Sequence, residues 1–320
     1  MSATADPVGP DADGKRMNEK FLPFLGTEAL AAGTVTRRTL VSRYDMIYRN
    51  VYLPKGMELT PDRRAVAAWL WSGRNATIAG MSAAALHGSR WIDSELSAEL
   101  IRSEACDVDG IIIHRNRLRD DEICVADGMP VTTPARTAFD LGRRDRLETA
   151  IIRVDALANA TGLKAEDVGR LAESRRGARG MVQLRRVLKL MDGGAESPQE
   201  TRTRLLLIAA GLPKPQTQIV VLDEFGDFVG RVDMGWDEWK IGVEYDGPQH
   251  WTDPDEHARD IDRLAKLAAQ GWVIIRVSRD HLRFRPHVFL ARVRDAARAA
   301  GWPHWDEIRI DAHISWLASY

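Results

Sequence analysis

The stretch Arg231–Trp251, RVDMGWDEWKIGVEYDGPQHW, constrains the fold more than any other part of this chain. Asp233, Glu244 and Asp246 lie in or beside short apolar runs that otherwise have the pattern of buried strands. An acidic side chain is costly to bury unless another group pairs with it. The stretch therefore predicts two neighbouring strands whose acids serve a purpose other than packing.

The segments on either side of this stretch predict an α-β-β-β-α-β unit. Ser197, Pro198 and Glu200 form a capping signature at the start of a helix, and Gly211 ends that helix. Three strands follow, TQIVVL, FVGRVDMGW and WKIGVEYD, and a helix through Gln270 separates them from a fourth, WVIIRVS. The first three strands can form an antiparallel meander, and the crossover helix places the fourth parallel to a neighbour.

The strand periodicity predicts where the acids meet. Residues two apart share a face of a strand, so Glu244 and Asp246 point to the same side, where Gly242 leaves space. Asp233, on the preceding strand, can face them. Converging carboxylates repel one another, and their pKa values rise unless a cation neutralises them. We therefore expect Asp233 and Glu244 to bind Mg²⁺ or Mn²⁺, hard ions that take oxygen ligands and can activate water against a phosphoryl group.

An acid on one strand, followed by E-x-(basic or polar) on the next in this element order, resembles the PD-(D/E)XK restriction-endonuclease fold. The segments VEYDGPQH and ARDIDRLAKLAAQGWVIIRV are more specifically similar to the DUF559 family, which is related to the very-short-patch-repair endonucleases. The resemblance covers Ser197–Val277 and implies metal-dependent cleavage of phosphodiester bonds in DNA. Asp233 and Glu244 match the acid pair of the family. His250 matches a histidine implied to assist proton transfer, and Glu200 stands where related nucleases often carry a further acid.

The chain departs from this pattern at Asp246, where many of these enzymes have a lysine that stabilises the charge of the transition state. Two interpretations of Asp246 stay open: it is a catalytic residue, or it only shapes the Asp-Gly turn. Arg263 or Lys266, on the next helix, could supply the missing cation. Arg259 shares a helical face with both, and that face is either a phosphate-contact stripe or a solvated surface. Glu200 is also explained by the capping box alone.

The middle of the chain carries two other motifs, GMSAAALHGSRWID and MPVTTPARTAFDLGRRD. They resemble the AbiEi-type antitoxin and transcriptional-regulator proteins, in which a winged helix precedes a domain with these motifs. The resemblance covers most of Phe21–Ala158 and implies binding to DNA or to a partner. TRRTLVSR and the strand DMIYRNVYLP leave no room for a separate recognition helix, so the predicted module is a reduced winged helix. Its predicted nucleic-acid contacts are Arg37, Arg38 and Arg43, with solvated surface arginines as the alternative.

Two features of these motifs have simpler explanations. His87 in ALHGSRW has no nucleophilic serine or cysteine at a known catalytic spacing, so we interpret it as a packed or capping histidine. Thr133, Pro134 and Arg136 predict a helix start with Thr133 as its N-cap. A phosphate contact at that helix end is the alternative interpretation.

Composition limits the possible partners. The net charge of -1 gives no overall basic signal, so any nucleic-acid binding must depend on local patches. The sequence has no apolar run of about 18 residues, and its polar start does not have the order of a signal peptide. We therefore expect a cytoplasmic protein without a membrane partner. Cys106 and Cys124 lack metal-ligand spacing, and reduced buried thiols are favoured over one bridge.

We predict an α+β multidomain protein with four parts. These are a disordered tail (1–20), a winged-helix-like module (21–60), an AbiEi-like α/β domain (61–190) and a restriction-endonuclease-like αβββαβ domain (191–320). The leading hypothesis is a metal-dependent DNA endonuclease with an N-terminal region that binds DNA or a partner. The alternative is a non-catalytic regulator or antitoxin of the AbiEi type with a decayed nuclease domain. An RNA target and the oligomeric state stay open.

Overall fold

A computed structural model describes residues 22–104, 107–247 and 254–319 of the chain. These residues form two compact units. The first contains the described residues up to Leu86 together with Asp93–Thr132, and the second contains His87–Ile92 and the described residues from Thr133 onward. Helices and three sheets alternate along the chain, which confirms the α+β class. The four-part division stays a prediction, and the predicted tail and His250 lie outside the described residues.

The first unit begins with a small antiparallel sheet of strand order β1-β3-β2. Its elements are β1 (Phe24–Leu25), α1 (Gly26–Ala31), α2 (Arg37–Arg43), β2 (Tyr44–Tyr48) and β3 (Val51–Pro54). Thr36 caps α2 as part of a capping box with Thr39. The prediction of one continuous strand in DMIYRNVYLP is wrong, because the segment is a hairpin. Asn50 takes a left-handed φ of 64° at its turn, and its side chain donates a hydrogen bond to Thr27 Oγ1.

The remainder of the first unit is a five-stranded mixed sheet of order β6-β5-β4-β8-β7. Its helices and strands are α3 (Pro61–Trp71), β4 (Thr77–Ile78), α4 (Gly80–Leu86), β5 (Ala98–Ile101), β6 (Ile111–His114), β7 (Ile123–Ala126) and β8 (Met129–Thr132). Apolar side chains of α3, including Ala67 and Leu70, pack with Ile78, Leu100 and Val131 of the sheet.

The second unit opens with four helices, α5 (Pro134–Arg144), α6 (Leu147–Thr161), α7 (Ala165–Ser174) and α8 (Met181–Leu190). Thr133 is the N-cap of α5, as predicted, and its hydroxyl accepts a hydrogen bond from the Arg136 backbone N–H at 3.3 Å. The Arg136 side chain is 1% exposed and pairs with Asp140 at 2.9 Å, which supports the structural interpretation of this motif.

The α-β-β-β-α-β order predicted for the next segment is present. Its elements are α9 (Pro198–Ala209), β9 (Gln216–Leu222), β10 (Phe228–Trp236), β11 (Ile241–Asp246), α10 (Pro254–Ala269) and β12 (Val273–Ser278). The sheet has the order β12-β11-β10-β9, with β9, β10 and β11 antiparallel and β12 parallel to β11. Val221, Val232, Leu267 and Trp272 form a core between this sheet and α10. The fold therefore places α10 beside β10, β11 and β12.

The chain continues beyond β12 into a region for which the sequence predicted no elements. It contains α11 (Arg279–Phe284), α12 (Pro286–Ala299) and short 3-10 helices at Trp305–Glu307 and Ile314–Ser319. Ser278 ends β12 and also caps α11, since its hydroxyl accepts a hydrogen bond from the His281 backbone N–H. As a result, α11 begins directly at the end of β12. No helix in the described part of the chain is long and apolar enough to cross a membrane.

Candidate acidic site on strands β10 and β11

Asp233 and Glu244 occupy facing positions on neighbouring strands. The antiparallel register pairs Gly235 with Gly242 and Met234 with Val243, so its next step sets Asp233 opposite Glu244. Directly opposed residues in such a pair have Cβ atoms about 4.5–5.5 Å apart. The backbone ladder between the two strands ends at Met234 and Val243. Next to it, the Asp233 side chain accepts a hydrogen bond from the Tyr245 backbone N–H through Oδ2, at 3.0 Å. The register therefore brings the two predicted metal ligands close together.

The environment of Asp233 disfavours its charged form. Burial raises the pKa of Asp233 to about 7, and the carboxylates of Glu200 and Glu244 contribute to this rise by repulsion. The hydrogen bond from Tyr245 and the charge of Arg263 act in the opposite direction. The carboxyl is consequently much harder to ionise than that of an exposed aspartate. A cation bound at this position would shift Asp233 to its ionised form.

Glu200 caps α9, as one of the two interpretations predicted, and it also lies near Asp233. Its carboxylate accepts hydrogen bonds from the Ser197 hydroxyl and the Glu196 backbone N–H, each at 2.8 Å, so it completes the cap of α9. Burial raises the pKa of Glu200, and its charge in turn repels that of Asp233. The capping acid is therefore also a neighbour of the acid pair.

An alternating chain of charges links β11, α10 and β12. Arg263 on α10 donates to both oxygens of Glu244, at 2.7 and 2.8 Å, and also to Asp260 at 2.7 Å. Arg276 of β12 contacts the other oxygen of Asp260 at 3.0 Å and Asp246 at 3.3 Å. Glu244 and Asp246 thus share one face, as predicted, and both are paired with arginines from α10 and β12.

The two candidates for the missing cation, Arg263 and Lys266, differ in their distance from the acids. Arg263 is the group that stands beside Glu244, whereas Lys266 and Arg259 are exposed on α10. Gly242 does not leave the predicted space, because a Cβ atom there would meet Ile274 Cδ1 at 2.6 Å. Core packing fills this position, so room for a ligand must lie nearer the strand ends.

The next question is whether the side chains of the site suit the predicted Mg²⁺ or Mn²⁺ ion. In the described part of the chain, no group of three or more histidine, cysteine, aspartate or glutamate side chains is arranged to hold a metal ion. Asp233 and Glu244 supply hard carboxylate oxygens of the kind that Mg²⁺ and Mn²⁺ prefer. These two residues are the ones that would hold such an ion, and both oxygens of Glu244 also accept hydrogen bonds from Arg263.

Several residues of the site were not predicted. Asp260 and Arg276 link the two paired acids. Arg202 and Arg279 are close enough to act electrostatically on Tyr245, whose pKa is raised mainly by burial. The Asp260–Arg263 pair could have been found from its i, i+3 spacing on one helix. Arg276 could not, because its partnership with Asp246 depends on the parallel register in which Arg276 lies beside Glu244.

The remaining predicted residues lie elsewhere. Arg37, Arg38 and Arg43 are all exposed on α2, as a backbone contact would require, and their role stays a prediction. Lys240, predicted to extend the third strand, instead takes a left-handed φ of 51° and pairs with Asp237 at 2.8 Å. Cys124 is a half-buried free thiol, and Cys106 lies outside the described residues.

Comparison with known proteins supports one of the two resemblances. Residues 76–190 match the family described as AbiEi antitoxin C-terminal domain. The matched segment runs from β4 to the end of α8 and ends before α9. An AbiEi-like region is thus confirmed for the middle of the chain, and the DUF559 resemblance of the segment that follows stays a prediction.

Two relatives share part of the chain. They are "Uncharacterized protein MT2308" and "Uncharacterized protein Rv2248", from two strains of Mycobacterium tuberculosis. Each is 34% identical over 177 residues, which is 54% of this chain and 65% of the relative. No solved structure matches the chain significantly. Neither relative's name states an activity.

Proposed function

We propose that the second unit is a metal-dependent nuclease that hydrolyses phosphodiester bonds in DNA, and that the AbiEi-like region contributes binding to DNA or to a protein partner. The proposal rests on the placement of Asp233 opposite Glu244 within the α-β-β-β-α-β core. Two like charges in a partly buried position are unfavourable without a compensating cation. Burial raises the pKa of Asp233, and repulsion by Glu200 and Glu244 adds to this rise, so a bound cation would stabilise the charged form of Asp233.

Each residue of the site has a distinct part in this proposal. Asp233 and Glu244 would hold the divalent ion, which when bound polarises a phosphoryl oxygen and activates water. Arg263 keeps Glu244 in one orientation through its two hydrogen bonds. Asp260 in turn positions Arg263 and Arg276. The two arginines supply positive charge beside the site, in the role that lysine has in the related nucleases.

The test is cleavage of supercoiled plasmid with Mg²⁺ or Mn²⁺ by the full chain and by the variants Asp233→Asn and Glu244→Gln. Each variant is expected to lose at least about a hundredfold in rate, since each removes a metal ligand. Asp227→Asn, at an exposed turn position, is the matched control and should cleave like the unaltered protein. Equal cleavage by Asp233→Asn and by this control would reject the assignment.

A second function is favoured by two observations. The AbiEi match covers residues 76–190, and Arg263 and Arg276 already pair with Glu244 and Asp246. A decayed nuclease core could use such arginines in place of a metal and act as a binding platform in a transcriptional regulator or antitoxin. Calorimetric titration with Mn²⁺ separates the two functions. Heat of binding that disappears in Asp233→Asn supports the nuclease, while DNA binding without any metal binding supports the regulator.

A further inference from the structure

Arginine is strongly concentrated just after β12. Residues 276–298 contain seven arginines and only two aspartates, in a chain whose net charge is -1. The arginines are Arg276, Arg279, Arg283, Arg285, Arg292, Arg294 and Arg298. A nearly neutral protein can bind a polyanion only through a local patch of this kind. The segment therefore has a charge that the fold of α11 and α12 does not by itself explain.

Four of these side chains are exposed and have no carboxylate partner among the described residues. Arg279, Arg283, Arg285 and Arg292 are all exposed, and in the described part of the chain none lies within 4.0 Å of a carboxylate. Arg298, by contrast, has Asp295 at 3.7 Å. Unpaired guanidinium groups raise the local positive potential, and their planar donors match phosphate oxygens.

The four arginines are close to one another in the fold. Arg279 and Arg283 are one turn apart on α11, so they lie on the same side of that helix. Arg285 and Arg292 both act on His281 of α11, where they add to the effect of burial in lowering the histidine pKa. We call these four residues the arginine surface.

The arginine surface adjoins the acidic site. Ser278, the residue before Arg279, pairs in register with Asp246 of β11. Arg279 also acts electrostatically on Tyr245, which follows Glu244 in the chain. Phe284 is 64% exposed, and Arg283 packs over its ring at 5.0 Å.

We propose that the arginine surface binds the phosphate backbone of duplex DNA and directs it toward the acidic site. The contacts are to phosphates, so they position the duplex without reading its sequence. The choice of DNA rests on the proposed function, but binding by this surface does not require cleavage. Acidic residues at the end of β11 would repel a backbone, and the arginines at the start of α11 provide the attraction that offsets this repulsion.

The test measures binding of a fluorescent 30-base-pair duplex to the full chain in EDTA, over a range of salt concentrations. The triple variant Arg283→Gln/Arg285→Gln/Arg292→Gln is expected to bind at least about tenfold more weakly. Its dependence of log affinity on log salt should be shallower by about two to three, because each lost phosphate contact removes about 0.9 from that slope. Circular dichroism and thermal unfolding verify that the variant is folded.

A matched triple variant, Arg170→Gln/Arg176→Gln/Arg185→Gln, removes three arginines from exposed positions of the α7–α8 segment. It should bind the duplex within about twofold of the unaltered protein. Equal weakening in both triples would show a general charge effect and overturn the proposal, as would an unaltered protein that does not bind the duplex. The proposal would also be overturned if the triple variant at Arg283, Arg285 and Arg292 bound the duplex normally and lost binding only to vesicles that contain anionic lipid. Because EDTA excludes metal-dependent cleavage, failure of the nuclease assay leaves this result interpretable.

Discussion

Arg263 binds Glu244 through two hydrogen bonds of 2.7 and 2.8 Å, which join the middle of α10 to the end of β11. The Glu244 side chain is 7% exposed, so its charge has little access to water and depends on this partner. The hydrogen bonds to Glu244 also raise the pKa of the Arg263 guanidinium. One ion pair thus joins α10 to the candidate site and balances the charge of Glu244.

We expect Arg263→Met to destabilise the protein by roughly 2–4 kcal/mol, because removal of one partner leaves a buried carboxylate unpaired. Unfolding in urea, followed by circular dichroism, measures this change. Lys266→Met on the same helix is the control and should stay within about 0.5 kcal/mol, since Lys266 is exposed. Adding Glu244→Gln to Arg263→Met should recover part of the loss. A double variant less stable than the single one would contradict this account.

Asp233 makes stability depend on pH in a predictable direction. Its pKa is raised from 3.8 to about 7, so between these values the folded state holds a proton that the unfolded chain has lost. Stability contributed by this proton is complete below about pH 4 and is lost as pH rises through 7. An asparagine side chain does not ionise, so the variant Asp233→Asn keeps this stability at high pH. It should be more stable than the unaltered protein at pH 8 by up to about 4 kcal/mol.

Thermal unfolding at pH 5, 6, 7 and 8 tests this prediction, with Asp227→Asn as a control at an exposed position of the β9–β10 turn. The gain from Asp233→Asn should grow with pH, and the control should show no such trend. A gain that is the same at every pH would mean that Asp233 is not protonated in the folded protein.

A second buried pair joins α6 to α9. Arg204 donates to Asp155 at 2.6 Å and also to the Leu190 carbonyl, and both charged side chains are at most 1% exposed. We expect Arg204→Met to cost about 3–5 kcal/mol, because it leaves a buried carboxylate without its charged partner. Arg202→Met, which breaks the half-exposed pair with Glu148, should cost less than about 1 kcal/mol. Similar losses in both variants, by urea unfolding, would contradict the structure.

Gly80, in the motif GMSAAALHGSRW, cannot accept a side chain. Its φ is +54°, and a Cβ atom there would lie 2.1 Å from Glu99 Oε2. The Glu99 carboxylate is held by the Met81 backbone N–H and by His114, each at 2.8 Å, so it cannot move away freely. Gly80→Ala should therefore cost more than Gly88→Ala, where φ is +82° but nothing lies within 4 Å. Strain alone costs about 1–2 kcal/mol, and equal losses at both positions would exclude the clash.

The order of the elements from α9 to β12 was determined by the sequence itself. Ser197 caps α9, Gly211 and Gly271 take left-handed conformations after α9 and α10, and apolar runs define the four strands. Caps, glycine stops and short-range periodicity act within a few residues, so they can be recognised without knowing the fold. For the same reason the sequence predicted Asp233 and Glu244 as neighbours, since a short turn joins their strands.

Only the tertiary structure decided what the acids contact. Arg276 joins Asp246 because β12 returns parallel to β11, and Arg263 reaches Glu244 because α10 packs across the sheet. The hairpin at Asn50, the strand β4 and the proximity of Arg285 and Arg292 likewise depend on contacts between distant or weakly patterned segments. Register and burial are properties of the assembled core. A carboxylate in this sequence therefore predicts a need for a partner, and the fold selects which residue meets that need.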